Sequence, residues 1–341
     1  MTRSPNVLSL FLWSLSLLGG AFGGGAAQAF ALLEHGDGAI STVEDSIQTA
    51  ARWSNESGTL SEGVRGLGGG LEYAIAPDFC DRLLPQFRDA NPPSCDQVNV
   101  AIQAALAQWT VQHPALAFTD VGASVNPALP PKDAPEPWQG FGAELDFFVL
   151  NGKEYPPVAN VGGYTSFWSV EQAPTLTNGD KIDGNTITSA DIILNADTCF
   201  FFNVQQPVLE CNHFQSLILH EVGHALGLDH PDELIARNID TDDVPTNAVA
   251  ISCERPNLGL RHSKAYDANA AMNGYAGRPA PILSLTADDR GGLHFLYPPC
   301  AIATKPIPMW IWGISLAAGS ALIVGSLLFI LWPRSQQVKL R

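Results

Sequence analysis

The stretch HEVGHALGLDH, from His220 to His230, places three histidines and one glutamate within eleven residues. The apolar residues around it recur with the helical period, which predicts a helix through its first half. On a helix, side chains four positions apart project from one face, so the rings of His220 and His224 lie one turn apart. Gly227 then ends the helix, because glycine adopts the left-handed conformation at least cost, and the chain turns to bring His230 back.

This spacing predicts a metal site. Two imidazoles on one helix face and a third from the following turn suit one zinc ion, and they leave its fourth position open, as in catalytic sites. The predicted zinc ligands are His220, His224 and His230. Glu221 is the predicted catalytic residue, because it lies next to the first ligand and can reach water at the open position. A helix with incidental polar residues is the alternative for H-E-x-x-H alone, and the glycine and third histidine argue against it.

The complete pattern, H-E-x-x-H-x-x-G-x-x-H, is that of the metzincin proteases. Those proteins also carry a methionine-containing turn, and AYDANAAMNGYAG supplies one with Met272, followed by Tyr275. The chain most resembles the matrixins, the matrix-metalloprotease family, in their bacterial form, from about Trp53 to Pro298. The stretches that carry this resemblance are ARW, LEYAIAP, AALAQWTVQHPALAFTDV, SADIILNA, HEVGHALGLDHPDE, DANAAMNGY and LTADDRGGLHFLYP.

The resemblance implies an α+β zinc endopeptidase with a twisted, mostly parallel five-stranded sheet. It also implies an antiparallel edge strand, for which 161–170 is the candidate, an active-site helix and a C-terminal helix. The substrate would be an extended polypeptide bound by strand addition. Glu221 would act as general base toward metal-activated water, Met272 would pack under the metal, and Tyr275 would either bind the oxyanion or serve packing. A non-catalytic zinc-binding interaction module and a hydrolase of other substrates are the alternatives.

Two features depart from the animal members of that family. No histidine lies between His113 and His213, so we predict that their second, structural zinc site is missing. The segment between His230 and the methionine turn is also long, and it contains NIDTDD from Asn238 to Asp243. This insertion could cover the cleft, bind calcium through its carboxylates, or be a surface insertion without a role.

Periodicity predicts the remaining elements. Strands are predicted at 71–77, 116–121, 143–150, 161–170 and 189–196. Helices are predicted at 96–112 with Asp96 as cap, at 213–228, and at 286–298 with Thr286 as cap. Residues 30–70 are small, polar and glycine-rich, and they predict a loose lead-in to a catalytic domain at 71–300.

The two ends of the chain predict export and a membrane anchor. Residues 1–29 have a positive start, a short apolar stretch and the small-residue site Ala27-Gln28-Ala29, typical of a secretory signal peptide. Residues 309–332 carry no charge and are long enough to span a bilayer, with tryptophans at both ends. The tail at 333–341 is basic, which favours a cytoplasmic tail and an extracytoplasmic catalytic domain joined through a linker at 301–308. A sorting signal that is cut after export is the alternative.

The net charge of the exported part limits its partners, and its cysteines predict disulfides. Four of the 18 basic residues and none of the 34 acidic residues lie outside residues 30–306, which leaves a net charge of −20 there. This negative charge disfavours nucleic acid and anionic lipid as partners, so we expect no nucleic-acid partner. Six cysteines in an exported domain predict three disulfides, and loop closure favours near neighbours: 80–95, 199–211 and 253–300.

Overall fold

The computed structural model describes residues 30–33, 42–54, 67, 70–114, 116–129, 142–170, 184–233, 238–240, 259–274 and 281–298. The predicted signal peptide (1–29), linker (301–308), membrane segment (309–332) and tail (333–341) lie outside these residues, as do Tyr275, Cys253 and Cys300. Within the described ranges, no helix is both long and apolar enough to cross a membrane.

The helices and strands follow the predicted order. The strands are β1 Ala31–Leu32, β2 Leu71–Ile75, β3 Phe118–Asp120, β4 Leu145–Leu150, β5 Gly163–Val170, β6 Thr186–Asn195, β7 Phe200–Phe201, β8 Asn212–His213, β9 Leu228–Asp229, β10 Asn238–Asp240 and β11 Arg261–Ser263. The α-helices are α1 Val43–Thr49, α2 Phe79–Leu83, α3 Cys95–Thr110, α4 Phe214–Ala225 and α5 Ala287–Leu296.

Five strands form one sheet in the order β3-β2-β4-β6-β5. The strands β3, β2, β4 and β6 are parallel, and β5 runs antiparallel to β6 at the edge. The prediction of a mostly parallel five-stranded sheet with an antiparallel edge strand is confirmed. Every residue of β6 is buried, which fits its position between two neighbouring strands and beneath packed helices.

The main core lies between this sheet and the helices α3 and α4. Alternate residues of β6, Ala190, Ile192 and Leu194, face the helices and belong to that core. The apolar side of α3 is buried as the sequence predicted, with Val98, Ile102, Ala105, Leu106 and Trp109 inside. The Trp109 indole N–H donates to the Leu219 carbonyl at 3.0 Å, which fixes α3 against α4.

Helix α3 begins one residue earlier than predicted, and its cap is Ser94 rather than Asp96. The Ser94 hydroxyl accepts from the Gln97 N–H at 3.3 Å, and the Gln97 side chain accepts from the Ser94 N–H at 2.8 Å. This reciprocal pair satisfies two backbone donors, whereas Asp96 lies inside the first turn, where a carboxylate interacts favourably with the helix dipole.

Residues 30–33 and 42–54 are packed into the domain, which differs from the expected loose lead-in. Strand β1 pairs antiparallel with β9, and the Leu33 N–H donates to the Gly227 carbonyl at 2.9 Å. Trp53 is fully buried, and its indole N–H donates to the Ala225 carbonyl at 2.8 Å. The average composition of residues 30–70 is polar and glycine-rich, and it hides the two short apolar stretches, β1 and the residues around Trp53, that pack into the domain.

Two of the predicted disulfides are present. Cys80 is bonded to Cys95, which ties α2 to the start of α3, and Cys199 is bonded to Cys211 across the loop before α4. The proposed 253–300 pair lies outside the described residues.

Tyr297 and Trp53 together close the end of α4, and this contact can be tested. The Tyr297 hydroxyl donates to the Leu226 carbonyl at 2.7 Å and accepts from the Trp53 N–H at 3.1 Å. Tyr297→Phe leaves both buried groups without a partner, so we expect the free energy of unfolding to fall by about 1–3 kcal/mol. Urea unfolding of the purified chain measures it, with Tyr164→Phe, at a 40% exposed residue, as control. Equal stability of Tyr297→Phe and wild type would contradict this role.

Candidate metal centre

Helix α4 and the turn after it position the three predicted ligands. His220 and His224 lie one turn apart on α4, which ends at Ala225. Gly227 has φ = +97°, and a Cβ there would collide with the Ala51 carbonyl oxygen, so both conformation and space require glycine. The chain then passes through β9, and His230 follows it directly.

The three imidazoles converge on one point. The Nε2 atoms of His220, His224 and His230 form a triangle in which each pair is 3.0 Å apart. These nitrogens therefore make up a group that could hold a metal ion, the only such group of three or more His, Cys, Asp or Glu side chains found among the described residues. The structure thus brings together all three histidines that the sequence singled out.

The other ring nitrogens favour a cation at the point where the three rings converge. Nδ1 of His220 donates to the Ala271 carbonyl and Nδ1 of His224 to the Leu228 carbonyl, each at 2.7 Å. Nδ1 of His230 lies 3.1 Å from a carboxylate oxygen of Glu233. Because these acceptors favour the proton on Nδ1, a neutral ring at each position would direct an Nε2 lone pair toward the other two. Three lone pairs facing one another repel, and a metal ion between them removes that repulsion.

Burial keeps the His224 imidazole in the neutral form that binds metals. Loss of solvent, together with the nearby His230, lowers the pKa of His224 to about 3. His224 is therefore neutral at physiological pH, which is the protonation state that a metal requires of an imidazole ligand.

Glu221 lies beside this triangle and is held by the edge strand. Its carboxylate accepts from the Thr165 hydroxyl at 2.7 Å, and a Cβ at Gly163 would lie 2.8 Å from its other oxygen. Burial raises the pKa of Glu221 to about 7, opposed by the hydrogen bond from Thr165. Thr165 was missed by sequence reasoning, because no local motif marks a hydroxyl on β5 as a partner of a residue 56 positions later.

The methionine turn packs against the ligand helix. Met272 is buried, and a Cβ at Gly223 would collide with its sulfur atom. The Asp289 carboxylate accepts the backbone N–H groups of Ala271 and Met272, each at 3.0 Å, which fastens this turn to the start of α5. Because the Ala271 carbonyl accepts from His220, Asp289 also supports one of the three ligands.

A cleft of about 630 Å³ opens beside the histidines. Its walls include Tyr164, Thr165 and Phe167 of β5 together with Glu221. Within the described part of the chain, β5 pairs with β6 alone and leaves its other edge without a strand partner. The first half of the NIDTDD segment forms β10, which pairs with β11, and Thr241 and later residues of that segment lie outside the described residues.

Comparisons with known proteins leave the family open. No family model matches the chain, and no curated protein matches it. Among solved structures, a similar chain belongs to the GM1 bound form of the ECX AB5 holotoxin. It has a TM-score of 0.30 and 12% sequence identity, and the alignment covers 67% of this chain and 71% of that one.

The metal centre makes a direct prediction. We expect the purified chain to bind one equivalent of a first-row divalent metal with high affinity, and His224→Ala to lose it, because two imidazoles do not complete the site. Elemental analysis after dialysis measures the bound metal. His262→Ala, on β11 and outside the triangle, should retain the full equivalent. Retention of the metal by His224→Ala would contradict the assignment.

Proposed function

We propose that this protein is a zinc-dependent endopeptidase of the matrixin type that cleaves extended polypeptides outside the cytoplasm. The observation that supports the proposal most directly is the buried Glu221 carboxylate beside three convergent imidazoles. Zinc binding alone requires no carboxylate at this position. A base adjacent to a site with an open coordination position is the arrangement that hydrolysis needs.

The donor set favours zinc. Three imidazole nitrogens and no sulfur suit a borderline metal that accepts four ligands and leaves one position for water or substrate. When bound here, zinc supplies Lewis acidity, which polarises a carbonyl group and makes water a stronger acid. The Nδ1 hydrogen bonds to Ala271 and Leu228 hold two of the ligand rings in the orientation that binding requires.

Glu221 carries the protons in this proposal. It takes the proton from the attacking water and later gives it to the leaving amine, because a carboxylate can accept a proton in one step and donate it in the next. Thr165 holds the carboxylate at the edge strand through the 2.7 Å hydrogen bond. Because the Glu221 oxygens are already held in place, less entropy is lost when the carboxylate adopts the geometry of the reaction.

The edge strand supports an extended peptide as substrate. Strand β5 lines the cleft beside Glu221, and its outer edge can pair with a peptide backbone. Tyr164, 40% exposed, and Phe167 offer apolar surface to substrate side chains. Export and a C-terminal membrane anchor at 309–332 stay proposals from the sequence, and they place this activity at the outer surface of a membrane.

Replacing the base separates catalysis from metal binding. We expect Glu221→Gln to keep its metal and to lose peptide cleavage by about 100-fold or more, because the amide cannot take up a proton. Casein hydrolysis with and without a chelator measures the activity, and Glu210→Gln, at an exposed loop residue, is the matched control. Glu221→Gln cleaving casein at the wild-type rate would exclude the mechanism. A metal-loaded wild type that cleaves no peptide would point to a binding module instead.

The hydroxyl of Thr165 provides a second test. We expect Thr165→Val, which keeps the shape but removes the donor, to lower kcat about tenfold with little change in KM, because one hydrogen bond to the base is lost. Thr165→Ser should recover most of the rate. Steady-state kinetics on a fluorogenic peptide measures both variants, with metal content verified in each. A valine variant that keeps the wild-type rate while the serine variant loses it would mean that the methyl group, and not the hydroxyl, matters.

A further inference from the structure

The second face of the sheet holds a buried polar row that the metal centre does not use. Thr165 of β5 pairs with Ile192 of β6 and contacts Glu221, so that face points to α4. Side chains alternate along a strand, so the next pair, Ser166 and Asp191, points away from α4. The sheet therefore separates this row from the histidines.

Two carboxylates lie side by side in this row. Asp146 of β4 is in register with Asp191 of β6, which places their Cα atoms about 4.8 Å apart, the spacing of neighbouring strands. Asp146 is 0% exposed and Asp191 is 1% exposed. Within the described residues, neither carboxylate has an ion-pair partner, and each is close enough to the other for their charges to repel.

The side chain of Asp146 is hydrogen-bonded in this row, whereas those of Asp191 and Ser189 are not. Asp146 accepts from the N–H groups of Ala128 and Ala143, at 3.0 and 3.1 Å. Neither oxygen of Asp191 has a hydrogen-bond partner, and the same is true of the Ser189 hydroxyl two residues earlier on the same face. Such groups are costly to bury without a ligand, because they lose their water and gain nothing in return.

Burial makes the charged forms of both acids unfavourable. It raises the pKa of Asp191 to about 8, with a further contribution from the nearby Asp146. It raises the pKa of Asp146 to about 6, opposed by the two backbone hydrogen bonds. A shared proton could relieve the repulsion, but one proton satisfies only one of the two unpaired Asp191 oxygens.

We propose that Asp146, Asp191 and Ser189 form a binding site for one divalent, oxygen-preferring cation of the calcium class. All the available donors are oxygen atoms, with no imidazole or sulfur among them, and this set selects a hard cation over zinc. Ser166 is in register with Asp191, so a further hydroxyl group lies along the row. Water completes a coordination shell of six to eight oxygens.

The cation would join separate parts of the domain. Asp146 already holds Ala128 and Ala143, on either side of the 130–141 segment, and Asp191 lies in the buried central part of β6. A bound ion would fasten the backbone at Ala128 and Ala143 more firmly to the sheet on the side away from α4. The site would then contribute to stability and would be independent of the proposed peptidase activity.

Thermal unfolding of the full-length chain, with zinc saturating in every sample, tests the proposal. Calcium at about 100 times its Kd should raise the unfolding midpoint of wild type by about 5 °C. Asp191→Asn, which keeps the shape but removes the charge, should lose most of this rise. Asp81→Asn, at an exposed helix residue, should behave as wild type. If calcium leaves the midpoint of wild type unchanged, or raises that of Asp191→Asn equally, the cation site is overturned. If calcium has no effect on wild type and Asp191→Asn is itself more stable than wild type, the two carboxylates share a proton instead.

A second measurement covers the case in which Asp191→Asn does not fold. Crystals of the wild-type chain soaked in Mn²⁺ should give an anomalous scattering peak within bonding distance of the Asp191 carboxylate. No peak there would overturn the proposal. Because zinc at the histidines is measured separately, failure of either site is distinguishable from failure of the other.

Discussion

The mutual approach of the Nε2 atoms of three histidines is the constraint around which this molecule is organised. For the three nitrogens, 3.0 Å apart, to bind one metal ion, each ring must keep its proton on the opposite nitrogen. The Ala271 carbonyl, the Leu228 carbonyl and the Glu233 carboxylate satisfy that requirement, one for each ring. The methionine turn supplies the Ala271 carbonyl, and the turn after Gly227 supplies the Leu228 carbonyl. Both turns therefore fix the tautomer of a ligand histidine in addition to packing against the helix.

The surrounding domain keeps the ligand helix from shifting. Trp53 and Tyr297 bind the carbonyls of Ala225 and Leu226, which a free helix end would leave to water. Trp109 holds the same helix from the side through Leu219. On the sheet side, Thr165 reaches the carboxylate of Glu221. A metal centre assembled from so many distant segments tolerates little movement in any one of them.

Much of this arrangement could be predicted from the sequence because local patterns carry it. The spacing of His220, His224 and His230 on either side of a glycine encodes the convergence of the rings, and two-residue or helical periods encode the sheet and helices. The predicted cap of α3, Asp96, is wrong because Ser94, two residues earlier, offers a similar signal, and only the reciprocal bonds with Gln97 decide between them. Thr165 and the Asp146–Asp191 pair depend on strand register, which no local pattern reveals.

The pairing of β1 with β9 has a consequence for how the molecule matures. Ala31 meets Asp229, so the residue before the third ligand is aligned by a strand roughly 200 residues earlier in the chain. Contacts between such distant segments form late in folding, because a long loop must close before they are gained. Strand β1 therefore pairs only after β9, within the histidine motif, has been synthesised. The three-histidine site is therefore completed late in assembly, and a metal ion would find its full set of ligands only then.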